Sequence, residues 1–190
     1  MTQEKGQETG ATTSTGGAPE TLEGPMVYVA SLADYNAGRL HGVWLDATQD
    51  AESLYAEVAA MLRESREPVA EEWAIHDHSG FHGLKVGEYD SLDTVSILAN
   101  LVQDHGEAFA VFADDYGTDC LEVLGEAFLD AYRGEYDSLA DFAAELVESA
   151  GDLETVPEWL RGHIDYDSIA RDLECGGDYW YFRGYVFARH

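Results

Sequence analysis

Positive charge is what this chain has least of. Its 190 residues hold 10 Lys plus Arg against 38 Asp plus Glu, a formal net charge of −28. Nucleic acid and anionic membranes are gripped by Lys and Arg, so neither is expected as a partner. Cysteine is nearly absent too: Cys120 and Cys175 stand alone, without CxxC spacing. That fits reduced thiols in a cytoplasm better than a disulfide framework. No run approaches the roughly 18 apolar residues of a membrane span. Residues 1–25 lack the apolar centre of a signal peptide, and their Gly, Thr and Glu content predicts a disordered leader. GxSxG, HExxH and a Walker loop are all missing, which removes the commonest hydrolase and nucleotide-binding signatures.

What is present is ample material for packed cores, 45% hydrophobic and 12% aromatic residues. MVYVASL and VWLDA read as strands around the turn-like DYNAGRLHG, and EEWAIHDH as a third strand with Trp73 and Ile75 on one face. Between them, Leu54, Val58, Met61 and Leu62 recur at helical spacing behind Asp50, a cap. Beyond Gly87 the text turns helical: SLDTVSILANLVQDHG, EAFAVFADDYG and TDCLEVLGEAFLDAYRG each end at or near Gly, the residue that best terminates helices. ADFAAELVESA, PEWLRGHI and DYDSIARDLE continue the helices, and the aromatic DYWYFRGYVFARH predicts one or two strands. The fold class expected is α+β.

GEYDSL occurs at 87–92 and again at 134–139, and YDSI follows at 166–169. Asp or Ser before an apolar helix face is what a helix start requires, because its side-chain oxygen accepts an otherwise orphan backbone N–H. The offset between the two copies slips further along, so they read as two modules beginning alike rather than a solenoid.

Residues 101–178 carry 21 Asp plus Glu against three Arg, a net −18. On the helices these carboxylates lie opposite the apolar stripe, as with Glu122, Glu126 and Asp130, or Asp141, Glu145 and Glu148. Like charges at such spacing weaken a helix. A solvated or halophilic surface is the ordinary explanation. Yet solubility asks for a net charge of only roughly 2–8, and the excess opposes folding through self-repulsion. The field itself is therefore expected to have a function.

Two stretches suggest metal sites. DDYGTD at 114–119 fails the EF-hand pattern: counting from Asp114, position 12 is Gly125, and counting from Asp115, position 3 is Gly117. HDHSGFH offers His76, His78 and His82, with His76 and His78 on one side of a strand, a reachable zinc pair for an acidic metal-dependent enzyme. An adaptor for other basic DNA-binding proteins shares the electrostatics and is the other alternative. Tyr179, Trp180, Tyr181, Phe182, Tyr185 and Phe187 are expected in a core or subunit interface, since stacking on bases needs a basic groove.

YVASLADYNAGRLHGVWLDA at 28–47, EEWAIHDHSGF at 71–81, the GEYDSL segments and the tail from PEWLRGHIDYDSIARDL into YVF together resemble the ArdA antirestriction family over about 26–190. The resemblance implies an inhibitor of type I restriction-modification enzymes that mimics B-form DNA, needs no catalytic residue, cofactor or metal, and binds the methyltransferase core. It also implies an elongated chain of three small domains. These fall at 26–86 (small sheet plus helix), 87–133 (helical) and 134–190 (helices plus short sheet), and the last forms a homodimer interface. The phosphate-mimicking carboxylates would then be Glu88, Asp90, Asp104, Glu107, Asp114, Asp115, Asp119, Glu122, Glu126 and Asp130. Glu135, Asp137, Asp141, Glu145, Glu148, Asp152, Glu158, Asp165, Asp167 and Asp172 complete the set. From Met26 onward 34 acidic and nine basic residues give −25 per subunit and −50 per dimer. At about one charge per 1.7 Å, that matches roughly 85 Å of duplex.

Overall fold

The computed structural model describes residues 24–118 and 120–189. Most of the expected leader, and Asp119, lie outside the described residues.

Six consecutive buried residues make β1 (Met26–Ser31) the middle strand of a first antiparallel sheet, ordered β2-β1-β3. Its partners are β2 (Gly42–Asp46) and β3 (Trp73–Ser79). Helix α2 (Ala51–Arg63) places Leu54, Val58 and Met61 in the core, as the spacing predicts. Asp50 caps it, accepting the Ser53 N–H at 2.9 Å. A five-residue helix, α1 (Leu32–Asn36), takes the last residue of the expected first strand and the first three of the turn-like stretch, and it is too short for any apolar period to announce. In β3 Tyr28 pairs with Asp77 and Val29 with Ile75, so His76 is the extra residue of a β-bulge. Trp73 and Ile75 both meet the core.

Helix α3 (Leu92–Tyr116) is two helical segments meeting at Gly106, whose φ of 62° and ψ of −147° suit essentially only glycine. This is the break that the glycine spacing predicts. Helix α4 (Leu121–Ala131) stops short of its expected end at Gly134. Tyr132 turns extended there and opens β4 (Tyr132–Glu135), which pairs with the C-terminal hairpin. Two short strands form that hairpin, β5 (Tyr179–Phe182) and β6 (Tyr185–Ala188), and the second sheet runs β4-β6-β5. Between β4 and β5 come α5 (Leu139–Ser149), a 3₁₀ turn at Asp152–Thr155, α6 (Glu158–Arg161) and α7 (Tyr166–Gly176). The PEWLRGHI helix is thus a single turn, with Pro157 just before it rather than within it.

The α+β reading holds: the described residues form two small three-stranded sheets and seven α-helices. Burial sorts the apolar residues into two clusters. One gathers the first sheet, α2, α3 and α4, together with Phe187. The other gathers Leu139, Phe142, Ala143, Ala170 and Val186. Adjacent side chains of β6 therefore enter different cores, because successive residues of a strand face opposite ways. Trp180 and Tyr185 accompany Phe187, while Tyr179 and Tyr181 accompany Val186. The aromatic tail is a sheet that meets a core on each face, with Phe182 left exposed.

Both GEYDSL segments lead from a sheet to a capped helix. Ser91 caps α3, accepting the Thr94 N–H at 3.1 Å, and Ser138 caps α5, accepting the Asp141 N–H at 3.2 Å. Upstream of each cap, the Ile75 N–H donates to the Glu88 carbonyl at 2.9 Å and the Tyr136 N–H to that of Gly184 at 2.7 Å. YDSI is shifted in register: the cap is Asp165, which accepts the Ser168 N–H at 3.0 Å, and Tyr166 is already helical. Glu135, expected at a helix start, lies in β4.

Candidate functional site

Asp119 apart, every expected partner-binding carboxylate is described, and all of these are exposed except Asp90 and Glu107, which are half-buried. Asp90 folds back to accept the Gly87 N–H at 2.7 Å. The amphipathic pattern explains the exposure. In α4, Leu124 and Phe128 turn inward, leaving Glu122, Glu126 and Asp130 as a ridge one turn apart. In α5, Leu139, Phe142 and Ala143 are buried and Asp141, Glu145 and Glu148 face water. Asp104, Asp114 and Asp115 stand along α3, Asp137 just before α5, Asp152 on the 3₁₀ turn, Glu158 on α6, and Asp165, Asp167 and Asp172 at the cap and along α7.

Little positive charge is placed to neutralise them. Among the described residues the ion pairs are Arg39–Asp34, Arg39–Glu67 and Arg183–Glu107, the last at 3.4 Å. Glu107 is the single expected carboxylate so engaged. The three arginines of the acidic half point elsewhere. Arg133 donates to the carbonyls of Asp130 and Tyr132 at 2.8 and 3.0 Å, Arg161 to that of Val156 at 3.0 Å, and Arg171 to that of Asp167 at 3.2 Å. Cations that would screen the surface instead satisfy main-chain oxygens. The field reaches the tyrosines. Burial first, and then the negative charges of Glu107 and Glu135, push the Tyr185 phenol up, and burial with Glu145 does the same to Tyr136.

Among the described residues the one buried carboxylate is structural, and no pattern in the sequence announces it. Asp34 is buried at 1% exposure, accepts the Ser31 hydroxyl at 2.8 Å and that of Ser65, and pairs with Arg39 at 3.3 Å. The Ser65 hydroxyl does most to hold its carboxyl below the usual range, burial opposes this, and Ser31 and Arg39 add to the lowering. Arg39 also reaches Glu67, so residues 31–39 are tied to the loop after α2. Ser65 and Glu67 carry no pattern linking them to Asp34; chain folding alone joins them.

The histidines do not converge. His76 meets Tyr35 edge-on at 4.8 Å and His78 meets Phe81 at 5.7 Å. Among the described residues no group of three His, Cys, Asp or Glu side chains is placed to hold a metal ion. Both cysteines are free and exposed. Among the described residues no helix is long and apolar enough to cross a membrane.

The fold and its surface define an acidic α+β protein that presents its carboxylates outward, largely unpaired. The chain belongs to the ArdA family: the family model described as Antirestriction protein (ArdA) matches residues 27–187. It is an antirestriction protein, and its partners are restriction enzymes. No curated protein matched the chain.

Proposed function

We propose that this protein is a B-DNA mimic that competitively occupies the DNA-binding groove of type I restriction-modification enzymes, on their methyltransferase core, in the cytoplasm. The observation that carries this reading is the run of largely exposed carboxylates from Glu88 to Asp172, of whose described members only Glu107 is ion-paired. Carboxylates standing where phosphates stand engage the Lys and Arg that grip a DNA backbone, and backbone contacts carry little sequence information. One inhibitor then acts on enzymes of different sequence specificity. The three modules at 26–86, 87–133 and 134–190, and a homodimer joined through the last, belong to the same proposal. A dimer presents enough charge for roughly 85 Å of duplex, at about 1.7 Å per charge.

The test is titration of purified protein into a type I methyltransferase–DNA complex, followed by fluorescence anisotropy of labelled DNA. DNA should be released at low salt, and release should weaken steeply as salt rises. A stoichiometric excess that leaves the complex intact at low salt defeats the reading.

A further inference from the structure

Charge alone does not describe the face between α3 and α4. A groove of about 490 Å³ runs between the first segment of α3 and the length of α4. Its walls include Ile97 and Leu101 on one helix and Leu121 and Leu129 on the other. Ile97 is 42% exposed and Leu129 61%, on helices that also expose Asp93, Asp104, Glu122, Glu126 and Asp130. Single exposed aliphatics are commonplace, but two lining one groove together with Leu101 and Leu121 mark a recognition surface.

The groove's shape depends on a glycine. A Cβ at Gly125 would lie 3.0 Å from the Leu101 side chain. A mid-helix glycine weakens its helix relative to alanine. At this position it leaves room for the Leu101 side chain in the groove wall and lets α4 approach α3 closely.

Glu122 and Glu126 line the same groove one turn apart, and no Lys or Arg lines it. An occupant must therefore offer apolar side chains to the seam and cations to one rim. A second copy of this acidic chain is poorly matched, and so is a neutral peptide. We propose that the α3–α4 groove is an anchoring site for an amphipathic basic helix, with aliphatic residues on one face and Lys or Arg beside them, belonging to the restriction enzyme that the acidic surface engages. This rests on the function proposed above and adds what a phosphate backbone lacks, a hydrophobic grip that salt does not screen.

The experiment compares full-length wild type, Ile97→Ser/Leu129→Ser and Glu145→Gln/Glu148→Gln for binding to a purified type I methyltransferase core across a salt series. The Ile97→Ser/Leu129→Ser protein should lose about tenfold in affinity at every salt concentration, as interfacial anchors do. Its plot of log Kd against log salt should keep the wild-type slope. The Glu145→Gln/Glu148→Gln protein should instead flatten that slope. Both groove positions are exposed, so thermal melts should match wild type. If the pair lowers the melt, Leu129→Ser alone, at the more exposed site, should still weaken binding at every salt. Unchanged affinity in the groove variants, with wild type binding normally, overturns the groove and spares DNA mimicry. Wild type that fails to bind at any salt overturns both. Sedimentation showing wild type associated and Ile97→Ser/Leu129→Ser dissociated would assign the groove to a second copy and overturn the proposal.

Discussion

Replacing Phe187 by Ala should be among the most damaging single changes in this protein. The ring is fully buried and stacks on Trp180, with centroids 4.4 Å apart and planes 22° from parallel. Phe112 and Tyr132 each lie 5.7 Å away, and Phe128 lies 6.3 Å away. These neighbours come from α3, α4, β4 and β5, so the cavity cannot close by shifting one element. Truncating such a residue costs about 3–5 kcal/mol, the transfer loss plus the void left behind. With a urea slope of about 2 kcal/mol/M, a loss of about 4 kcal/mol lowers the unfolding midpoint by about 2 M. The control is Phe182→Ala, the same chemistry at a 52% exposed site in the same hairpin. The Arg183 guanidinium lies over its ring, 5.5 Å from the centre, a cation–π contact worth about 0.5–1 kcal/mol at the surface. Urea unfolding would be followed by near- and far-ultraviolet circular dichroism. Because β6 feeds both cores, both signals should move together for Phe187→Ala. A gap of less than about 1 kcal/mol between the two variants would refute the claim that this ring joins the middle helices to the second sheet.

Glu145→Gln with Glu148→Gln should raise the melting temperature slightly while weakening enzyme inhibition, because it relieves like-charge repulsion worth about 0.2–0.5 kcal/mol per pair; thermal melts and DNA release read the two effects separately. Gly106→Ala should destabilise by about 1–3 kcal/mol in urea, since alanine strains at this backbone position. Ser91→Ala and Ser138→Ala should each cost about 1 kcal/mol by the same measurement, as loss of an N-cap does. Asp34→Asn should be less stable than wild type at neutral pH. The native carboxyl is held below its ordinary 3.8, so its contribution is complete above that pH and lost as pH falls through the lower native value. The difference between the two proteins should therefore shrink in acid titrations; a difference that stays constant to the lowest pH would contradict the assignment.

Much of this fold was legible because amphipathic spacing and caps are local. Leu54, Val58 and Met61 behind Asp50 needed no knowledge of distant residues, and the same holds for the glycine break in α3. What stayed hidden was set by distant partners. Tyr132 sits at the end of a good helical pattern and becomes a strand only because Phe187 pairs with it across the chain. In the third copy of the repeated letters the cap falls at Asp165, three positions before the serine that matches Ser91 and Ser138, since Asp and Ser both serve as caps and text alone does not choose between them. The acidic surface was legible as composition and as helix faces, while the use of Arg133, Arg161 and Arg171 on carbonyls required coordinates. The α3–α4 groove left only a faint trace: Ile97 and Leu129 continue apolar stripes that the sequence assigns to the core.

The hairpin between β5 and β6 turns on Arg183 and Gly184, both at positive φ, 51° and 92°, the two-residue connection that matches strand twist. Surface loop tips are ordinarily where related chains gain or lose residues. Here one inserted residue would slide β6 by a single position and exchange its faces. Phe187 would swing toward α5 and α7, and the smaller Val186 would be left facing the space beneath α3 and α4. This exposed turn should therefore keep a fixed length among relatives even where its two residue types drift.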